Sequence, residues 1–266
     1  MTEWISSTCK SNGINIHYTR TGGTKPPLIL LHGLTGNGAC WTTIANALQT
    51  KYDVIMPDAR GHGKSSAPDN GYLYEDHAND IAGLIKALKI SAPILIGHSM
   101  GGMTAAVAAS REPKLIRSLI LADPTFLSPK VQREVHESDV ADQHRRLLNT
   151  SFYELVTEAH IKHPNRSLAV LEQIASARLQ ASINAFEVLT PPNPDYKHLV
   201  SIIDVPSLLV FGDSGVVSLA EAEEVQRLNP KFQIKQIAEA GHGLHYDQPE
   251  RFAEVVKSFL LSLMKS

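Results

Sequence analysis

Short apolar segments alternate with segments of helical periodicity from about residue 27 to the end of the chain. The apolar segments are almost continuously hydrophobic, which is typical of parallel strands covered on both faces. Strand and helix in repeated succession predict an α/β fold, with a mostly parallel sheet and helices on both faces. The predicted strands are 27–32, 54–57, 93–97, 118–122, 207–211 and 232–237. The predicted helices are 40–49, 79–88, 101–110, 219–228 and 249–264.

The first twenty residues have a different pattern. Ile14, Ile16 and Tyr18 alternate with polar residues and follow a Ser-Asn-Gly sequence, which favours a tight turn. Alternation on either side of such a turn indicates an antiparallel hairpin. We therefore expect residues 3–20 to pair at one edge of the sheet.

Residues 127–200 interrupt the alternation of strands and helices. Helical patterns occur at 131–148, 151–160 and 168–188, separated by proline-containing sequences, and no strand pattern is found. A connection of this length between two strands is too long for an ordinary loop. The sequence therefore predicts a core formed by 1–126 and 201–266, with 127–200 as a helical lid or cap.

Composition excludes several classes of function. The formal charge is -2, from 25 basic and 27 acidic residues, so no electrostatic attraction to nucleic acid or to an anionic membrane is expected. The N-terminus lacks the basic and apolar regions of a secretory signal, and no apolar stretch approaches the length of a membrane span. Cys9 and Cys40 are not in a CxxC pair, so they do not indicate a disulfide framework. The simplest expectation is a cytoplasmic protein of unknown oligomeric state.

A Gly-x-Ser-x-Gly sequence lies where a predicted strand meets a predicted helix. Gly97-His98-Ser99-Met100-Gly101 follows strand 93–97 and begins a helix of small residues. A serine hydroxyl is a weak nucleophile at neutral pH and needs a sharp turn that presents it to a base. The pentapeptide alone is common, but its position between strand and helix makes Ser99 the candidate nucleophile.

A glycine-rich loop follows the first predicted parallel strand. It has the sequence His32-Gly33-Leu34-Thr35-Gly36-Asn37-Gly38. Backbone amides in such a loop stabilise the negative oxygen that develops when a serine adds to a carbonyl group. We expect the amides of Leu34 and Met100 to form this oxyanion hole, and His32 to have a structural role.

His242 is the candidate general base among 12 histidines. It lies in Ala240-Gly241-His242-Gly243, between the last predicted strand and the last predicted helix, where the chain order serine, acid, histidine places the base. His245 lies nearby, but no third ligand or HExxH sequence accompanies the pair. No metal or other cofactor is therefore expected. A phosphate-binding glycine motif is also missing from the sequence.

Two carboxylates are candidates for the acid that orients the histidine. Asp123 follows strand 118–122, and Asp213 follows strand 207–211. Either one can hold the tautomer in which Nε2 is free to accept the serine proton. The spacing of residues alone does not decide whether Asp123 or Asp213 is the orienting acid.

The motifs together resemble the α/β-hydrolase family. The resemblance covers about residues 12–264, excluding the cap, and implies an eight-stranded sheet without a cofactor. It rests on four motifs in order, which are His32-Gly33, Asp58-Ala59-Arg60-Gly61-His62-Gly63-Lys64-Ser65, Gly97-His98-Ser99-Met100-Gly101 and Ala240-Gly241-His242.

This sequence departs from the commonest family pattern at one position. The acid usually ends a Gly-x-x-Asp sequence, but that position here is Gly215. Members with this departure, such as haloalkane dehalogenases, certain lactonases and N-formylmaleamate deformylase, place the acid after the preceding strand. The resemblance therefore favours Asp123, with Asp213 as the alternative that orients loops below the site.

These residues predict acyl transfer on a small-molecule substrate. We expect hydrolysis of a carboxylic ester, or of a lactone or amide, through an acyl-enzyme. A carbon–carbon bond hydrolase and a protein that binds a small molecule without turnover are the alternatives. We expect the apolar side chains near the motifs to line the substrate pocket. These residues are Trp41, Met103 and Phe126.

Overall fold

The computed structural model describes residues 4–263, and its framework is one sheet of eight strands. The strands are β1 (Ile5–Ser11), β2 (Ile14–Arg20), β3 (Pro27–Leu31), β4 (Asp53–Pro57), β5 (Ile94–His98), β6 (Ser118–Ala122), β7 (Ser207–Ser214) and β8 (Phe232–Gly241). Their order across the sheet is β1-β2-β4-β3-β5-β6-β7-β8. The prediction of an eight-stranded α/β fold is confirmed.

The sheet is parallel except at one edge. β1 pairs antiparallel with β2, and β2 pairs antiparallel with β4, whereas every other neighbouring pair is parallel. Asn12 and Gly13 link β1 and β2 with φ values of 46° and 81°. Positive φ at both central residues matches the tight turn of a two-residue hairpin. The N-terminal hairpin therefore forms as the alternating pattern predicts.

Helices cover both faces of the sheet. The α-helices outside residues 127–200 are α1 (Thr42–Leu48), α2 (Tyr74–Ala87), α3 (Met100–Arg111), α9 (Leu219–Leu228), α10 (Leu244–Asp247) and α11 (Pro249–Ser262). Two 3₁₀ helices, Gly38–Trp41 and Pro113–Leu115, also lie there. Apolar residues of α2, α3 and α9 share one buried cluster, and those of α1 and α11 share a second. Within residues 4–263, no helix is both long and apolar enough to cross a membrane.

Residues 127–200, which we call the cap segment, connect β6 to β7. The cap segment contains α4 (Pro129–Glu137), α5 (Val140–Leu147), α6 (Phe152–Lys162), α7 (Leu168–Leu179), a 3₁₀ helix (Ile183–Leu189) and most of α8 (Tyr196–Ile202). All its residues are described, and none of them forms a strand. The division of the chain into core and cap remains a prediction.

Two predicted helices of the cap segment are interrupted. The pattern at 131–148 is divided between α4 and α5 by Ser138 and Asp139. The Ser138 hydroxyl donates to the Val135 carbonyl at 2.6 Å, and a side chain that bonds the backbone in this way competes with the helix. The pattern at 168–188 likewise ends at Leu179 and continues only as the 3₁₀ helix.

α2 begins five residues before the predicted start at residue 79. Its first residue is Tyr74, and the Asp76 carboxylate accepts a hydrogen bond from the Leu73 amide at 3.0 Å. This polar interaction stabilises the first turn of α2. The first turn is also buried, through Tyr74, His77 and Ala78, so the predicted start at residue 79 misses part of the buried face of α2.

Candidate active site

Ser99 lies at a sharp turn between β5 and α3. Its φ and ψ are 54° and -119°, a conformation that non-glycine residues rarely adopt. A Cβ atom at Gly97 would lie 2.1 Å from the Gly101 carbonyl oxygen, and one at Gly101 would lie 2.4 Å from the Leu31 carbonyl oxygen. Only glycine fits at both positions, so the close packing of β3, β5 and α3 fixes the turn.

Three side chains from distant parts of the sequence form one hydrogen-bonded series. Nε2 of His242 lies 2.9 Å from Oγ of Ser99, and Nδ1 lies 2.5 Å from Oδ2 of Asp123. The carboxylate accepts from Nδ1–H, which leaves Nε2 as the acceptor for the serine hydroxyl. The Asp123 side chain is fully buried, whereas that of His242 is 41% exposed. The structure thus joins Ser99, His242 and Asp123.

Asp123 also receives two backbone amides from the loop after β7. Val216 donates to Oδ2 at 2.8 Å, and Val217 donates to Oδ1 at 2.9 Å. A Cβ atom at Gly215 would lie 2.7 Å from both carboxylate oxygens. The space that a side chain at position 215 would need is therefore filled by the Asp123 carboxylate, which explains the departure from Gly-x-x-Asp.

Asp213 has a different set of partners. Its carboxylate is exposed and accepts the amides of Glu239 at 2.8 Å and of Ala240 at 3.1 Å. The bond from Glu239 is the larger cause that lowers the pKa of Asp213. These contacts hold the end of β8, which extends beyond the predicted limit at residue 237 to Gly241. Asp213 is thus a loop-positioning residue in this structure.

His98 holds the backbone of the segment 241–247 around His242, which we call the histidine loop. Its Nε2 lies 2.8 Å from the carbonyl oxygen of His242, which can only accept, so Nε2 carries the hydrogen. Burial is the main cause that lowers the pKa of His98 well below its ordinary value, and the nearby His242 lowers it further. His98 is therefore a neutral donor that positions His242. Its variable place in Gly-x-Ser-x-Gly carried no sequence signal for this role.

The glycine-rich loop after β3 is held by two further histidines. His62 Nε2 accepts the Thr35 amide at 3.1 Å, and His32 Nε2 accepts the Ala59 amide at 2.9 Å. Burial is the main cause that lowers the pKa of both rings. Both histidines are therefore neutral, which leaves each Nε2 able to accept.

The motif at 58–65 contributes further contacts to this loop. Oδ1 of Asp58 accepts the Gly38 amide at 2.7 Å, and the Arg60 guanidinium pairs with Asp80 at 2.6 Å. Both side chains of the Arg60–Asp80 pair are only 4% exposed. The motif thus connects the glycine-rich loop to α2.

A cleft lies beside Ser99 and beneath the cap segment. Two adjoining cavities, of about 510 and 600 Å³, have in common the core residues Leu34, Thr35 and His242. Ser99 lines the larger one. The cap residues that line both cavities are His163, Arg166, Ile174 and Arg178. The cleft therefore has a core wall that carries the Ser99 group and a cap wall that is rich in basic groups.

The predicted substrate-binding side chains do not line this cleft, which corrects the sequence prediction. Trp41 and Met103 are 0% exposed, and Phe126 is 3% exposed. Trp41 stacks on His245 with ring centroids 4.3 Å apart, and Phe126 stacks on Tyr196 at 4.8 Å. The three residues pack in the core, because their large apolar side chains are more stable away from water.

An ion pair joins the cap segment to the histidine loop. Arg166 and Asp247 are 2.8 Å apart, with side chains 12% and 20% exposed, and Asp247 also accepts the Gly241 amide at 3.0 Å. The Arg166 guanidinium lies 5.5 Å from the centre of the Tyr246 ring. No local sequence pattern predicts this link, because the two residues lie 81 positions apart.

Comparisons with known proteins agree with this architecture. A family model described as alpha/beta hydrolase fold matches residues 26–249. The sn-1-specific diacylglycerol lipase of Mus musculus is 30% identical in an alignment 262 positions long, and the match covers 89% of this chain and 81% of that protein. The N-formylmaleamate deformylase of Pseudomonas putida is 28% identical in an alignment 255 positions long, and the match covers 94% of each chain.

A solved structure of E-2-(acetamidomethylene)succinate hydrolase is also similar. It has a TM-score of 0.83 and 25% identity, and the match covers 97% of this chain and 99% of that one. The resemblance inferred from the motifs is confirmed, because the family model covers most of the chain. The chain belongs to the α/β-hydrolase family and is related to hydrolases over most of its length.

Proposed function

We propose that this protein is a serine hydrolase that cleaves a small carboxylic ester, lactone or amide through an acyl-enzyme. The observation that carries the proposal is the series of hydrogen bonds from Ser99 through His242 to Asp123. His242 accepts the proton of the Ser99 hydroxyl as Oγ attacks the acyl carbon. Asp123 maintains the required tautomer and stabilises the imidazolium that forms.

Two backbone amides are suited to stabilise the oxyanion. Met100 is the first residue of α3, where amides lack acceptors within their own helix. Leu34 lines the same cavity as Ser99, and it follows Gly33, where a Cβ atom would lie only 3.1 Å from the Cβ atom of Ser99. Within residues 4–263, neither amide donates to a protein acceptor. Both are therefore free to bind the negative oxygen of the tetrahedral intermediate.

The remaining steps use the same groups. His242 returns its proton to the leaving oxygen or nitrogen, and the acyl group remains on Ser99. A water molecule then attacks the acyl carbon while His242 again accepts a proton, and the acid is released with Oγ protonated again. The relatives are named for hydrolysis of a diacylglycerol and of a formyl compound, so they support both esters and amides as substrates. A carboxylesterase is our first choice.

A fluorophosphonate probe tests the nucleophile. The wild-type protein should be labelled at Ser99, and Ser99→Ala should not be labelled. Ser110→Ala is the matched control, because Ser110 lies near the other end of α3 and its hydroxyl donates to the Val107 carbonyl. A panel of short esters, lactones and formyl amides then identifies the bond that is cleaved. Lack of labelling and of hydrolysis in the wild type would instead favour a small-molecule-binding protein.

A further inference from the structure

The cap wall of the cleft carries an excess of basic side chains. The basic residues that line the two cavities are Arg146, Lys162, Arg166 and Arg178, and the acidic ones are Glu158 and Asp247. Lys162 ends α6, and Arg178 lies in the last turn of α7. The cap helices thus place positive charge around the cavity that Ser99 lines.

Not all of these charges are available to a ligand. Arg166 is already paired with Asp247, and Arg146 is paired with Asp139 outside the cleft. Lys162 and Arg178 differ, because no acidic side chain in the described part of the chain lies within ion-pair distance of either, and of these two only Arg178 carries a guanidinium. It lines both cavities and remains accessible to solvent. Arg178 is therefore the free guanidinium of the cleft.

The surroundings of Arg178 do not compensate its charge. Partial removal of the guanidinium from water lowers the pKa of Arg178, and the positive charge of Arg166 lowers it further. Arg166 and Arg178 also contribute to lowering the pKa of His163, after burial as the main cause. An anion bound here would relieve this repulsion, and the planar fork of a guanidinium matches a carboxylate with two parallel hydrogen bonds.

We infer that Arg178 binds a carboxylate of the substrate, so that the natural substrate is an acyl compound with a second, anionic group. The inference rests on the proposed function, because it names the class of substrate that Ser99 attacks. It follows from one free guanidinium and one candidate nucleophile that line the same cavity of about 600 Å³. Arg166 has a separate role, in which its pair with Asp247 keeps the cap wall next to the histidine loop.

Matched esters test the inference. The anionic substrates are p-nitrophenyl hydrogen succinate and glutarate, with the carboxylate on the acyl half, and 4-acetoxybenzoate, with the carboxylate on the leaving half. The neutral controls are their methyl esters. For at least one pair, we expect kcat/KM of the wild type to be about tenfold or more higher for the anion. Equal values for every pair would overturn the inference.

Variants assign the preference to Arg178. Arg178→Gln should reduce the ratio of anionic to neutral kcat/KM to near one, whereas Arg178→Lys, which keeps the charge, should retain part of it. Arg133→Gln is the matched control, because Arg133 is an exposed arginine of the cap segment that lines neither cavity. It should leave the ratio unchanged. An unchanged ratio in Arg178→Gln would contradict the assignment.

A binding measurement separates this inference from the proposed function. Calorimetry with glutarate on Ser99→Ala does not depend on turnover, and a further Arg178→Gln change should weaken binding about tenfold or more. Hydrolysis of all esters at equal rates, without glutarate binding, would refute the carboxylate site and leave the serine hydrolase intact. Glutarate binding at Arg178 without labelling of Ser99 or hydrolysis would refute the proposed function alone.

Discussion

Asp123 accepts three hydrogen bonds with its two oxygens, from His242, Val216 and Val217. Asp123→Asn replaces one oxygen by a donor, which then faces a donor. The altered side chain no longer selects the tautomer that leaves Nε2 free. We expect kcat/KM for a p-nitrophenyl ester to fall by about three to four powers of ten.

Asp213→Asn is the control for this substitution. Asp213 contacts backbone amides of Glu239 and Ala240 rather than His242, so its loss should lower kcat/KM by less than about tenfold. If only Asp213→Asn abolished turnover, the assignment of Asp123 as the orienting acid would be wrong.

Gly215→Ala tests the packing of Asp123 more finely. The new Cβ would lie 2.7 Å from both oxygens of Asp123, so the carboxylate or its loop must move. Because small displacements at a reacting centre are costly, we expect kcat/KM to fall by about one to two powers of ten. Circular dichroism and the melting temperature check that the variant is folded. Wild-type activity would show that the carboxylate tolerates the displacement.

The residues of the site differ in how far sequence alone could identify them. Ser99 and His242 lie in short motifs at strand ends, where topology brings them to one edge of the sheet. Asp123 could be favoured over Asp213 only through the family resemblance, because Gly215 stands where the family usually has its acid. The side chains of Trp41, Met103 and Phe126 were misassigned, because sequence does not reveal whether an apolar residue beside a motif points into the core or into the cleft.

At the level of elements, the pair of Arg166 and Asp247 connects the cap segment to the loop of His242. Asp247→Asn removes the charge of this partly buried pair and weakens the bond from the Gly241 amide. We expect the free energy of unfolding to fall by about 1 to 3 kcal/mol, measured by urea denaturation. Turnover should fall as well, because the loop that carries His242 loses a contact.

Asp142→Asn is the matched control in the cap segment. Asp142 pairs with Arg145 on the surface of α5, with side chains 61% and 59% exposed. Such a pair contributes little, so the unfolding free energy should change by less than about 1 kcal/mol. Equal effects of Asp142→Asn and Asp247→Asn would show that the link to the histidine loop adds no stability.

Elements were predicted best where burial alone sets the pattern. β6 and α9 were predicted with the bounds that the structure has, since each is a compact apolar or amphipathic segment. The start of α2 and the interruption between α4 and α5 depend on polar side chains that bond the backbone. Hydrophobic periodicity does not register these contacts, nor the pairing of Arg166 with Asp247, which only the folded chain brings together.

For the whole molecule, buried histidines predict a dependence of stability on pH. Burial lowers the pKa of His32, His62, His98 and His245, and it lowers that of His77 to about 3. The unfolded chain therefore binds more protons than the folded protein once the pH falls below about 6.5. Stability should be fully present above this pH and decline steadily as the pH falls below it.

His77→Gln isolates one member of this set. It removes one histidine that is protonated only after unfolding, so the slope of unfolding free energy against pH should decrease by about 1.4 kcal/mol per pH unit between pH 6 and 4.5. Urea denaturation at several pH values measures both slopes. Identical slopes for the wild type and His77→Gln would mean that His77 is not held neutral by burial.

The most direct test of the account is to look for the acyl group on Ser99 during turnover. Rapid-quench mass spectrometry with p-nitrophenyl acetate should find an acetyl group on the Ser99 peptide, formed at the rate of the p-nitrophenol burst. Ser99→Ala should give neither the acetyl group nor the burst. Hydrolysis that persists in Ser99→Ala, or an acetyl group that accumulates on another residue in step with the burst, would contradict the account.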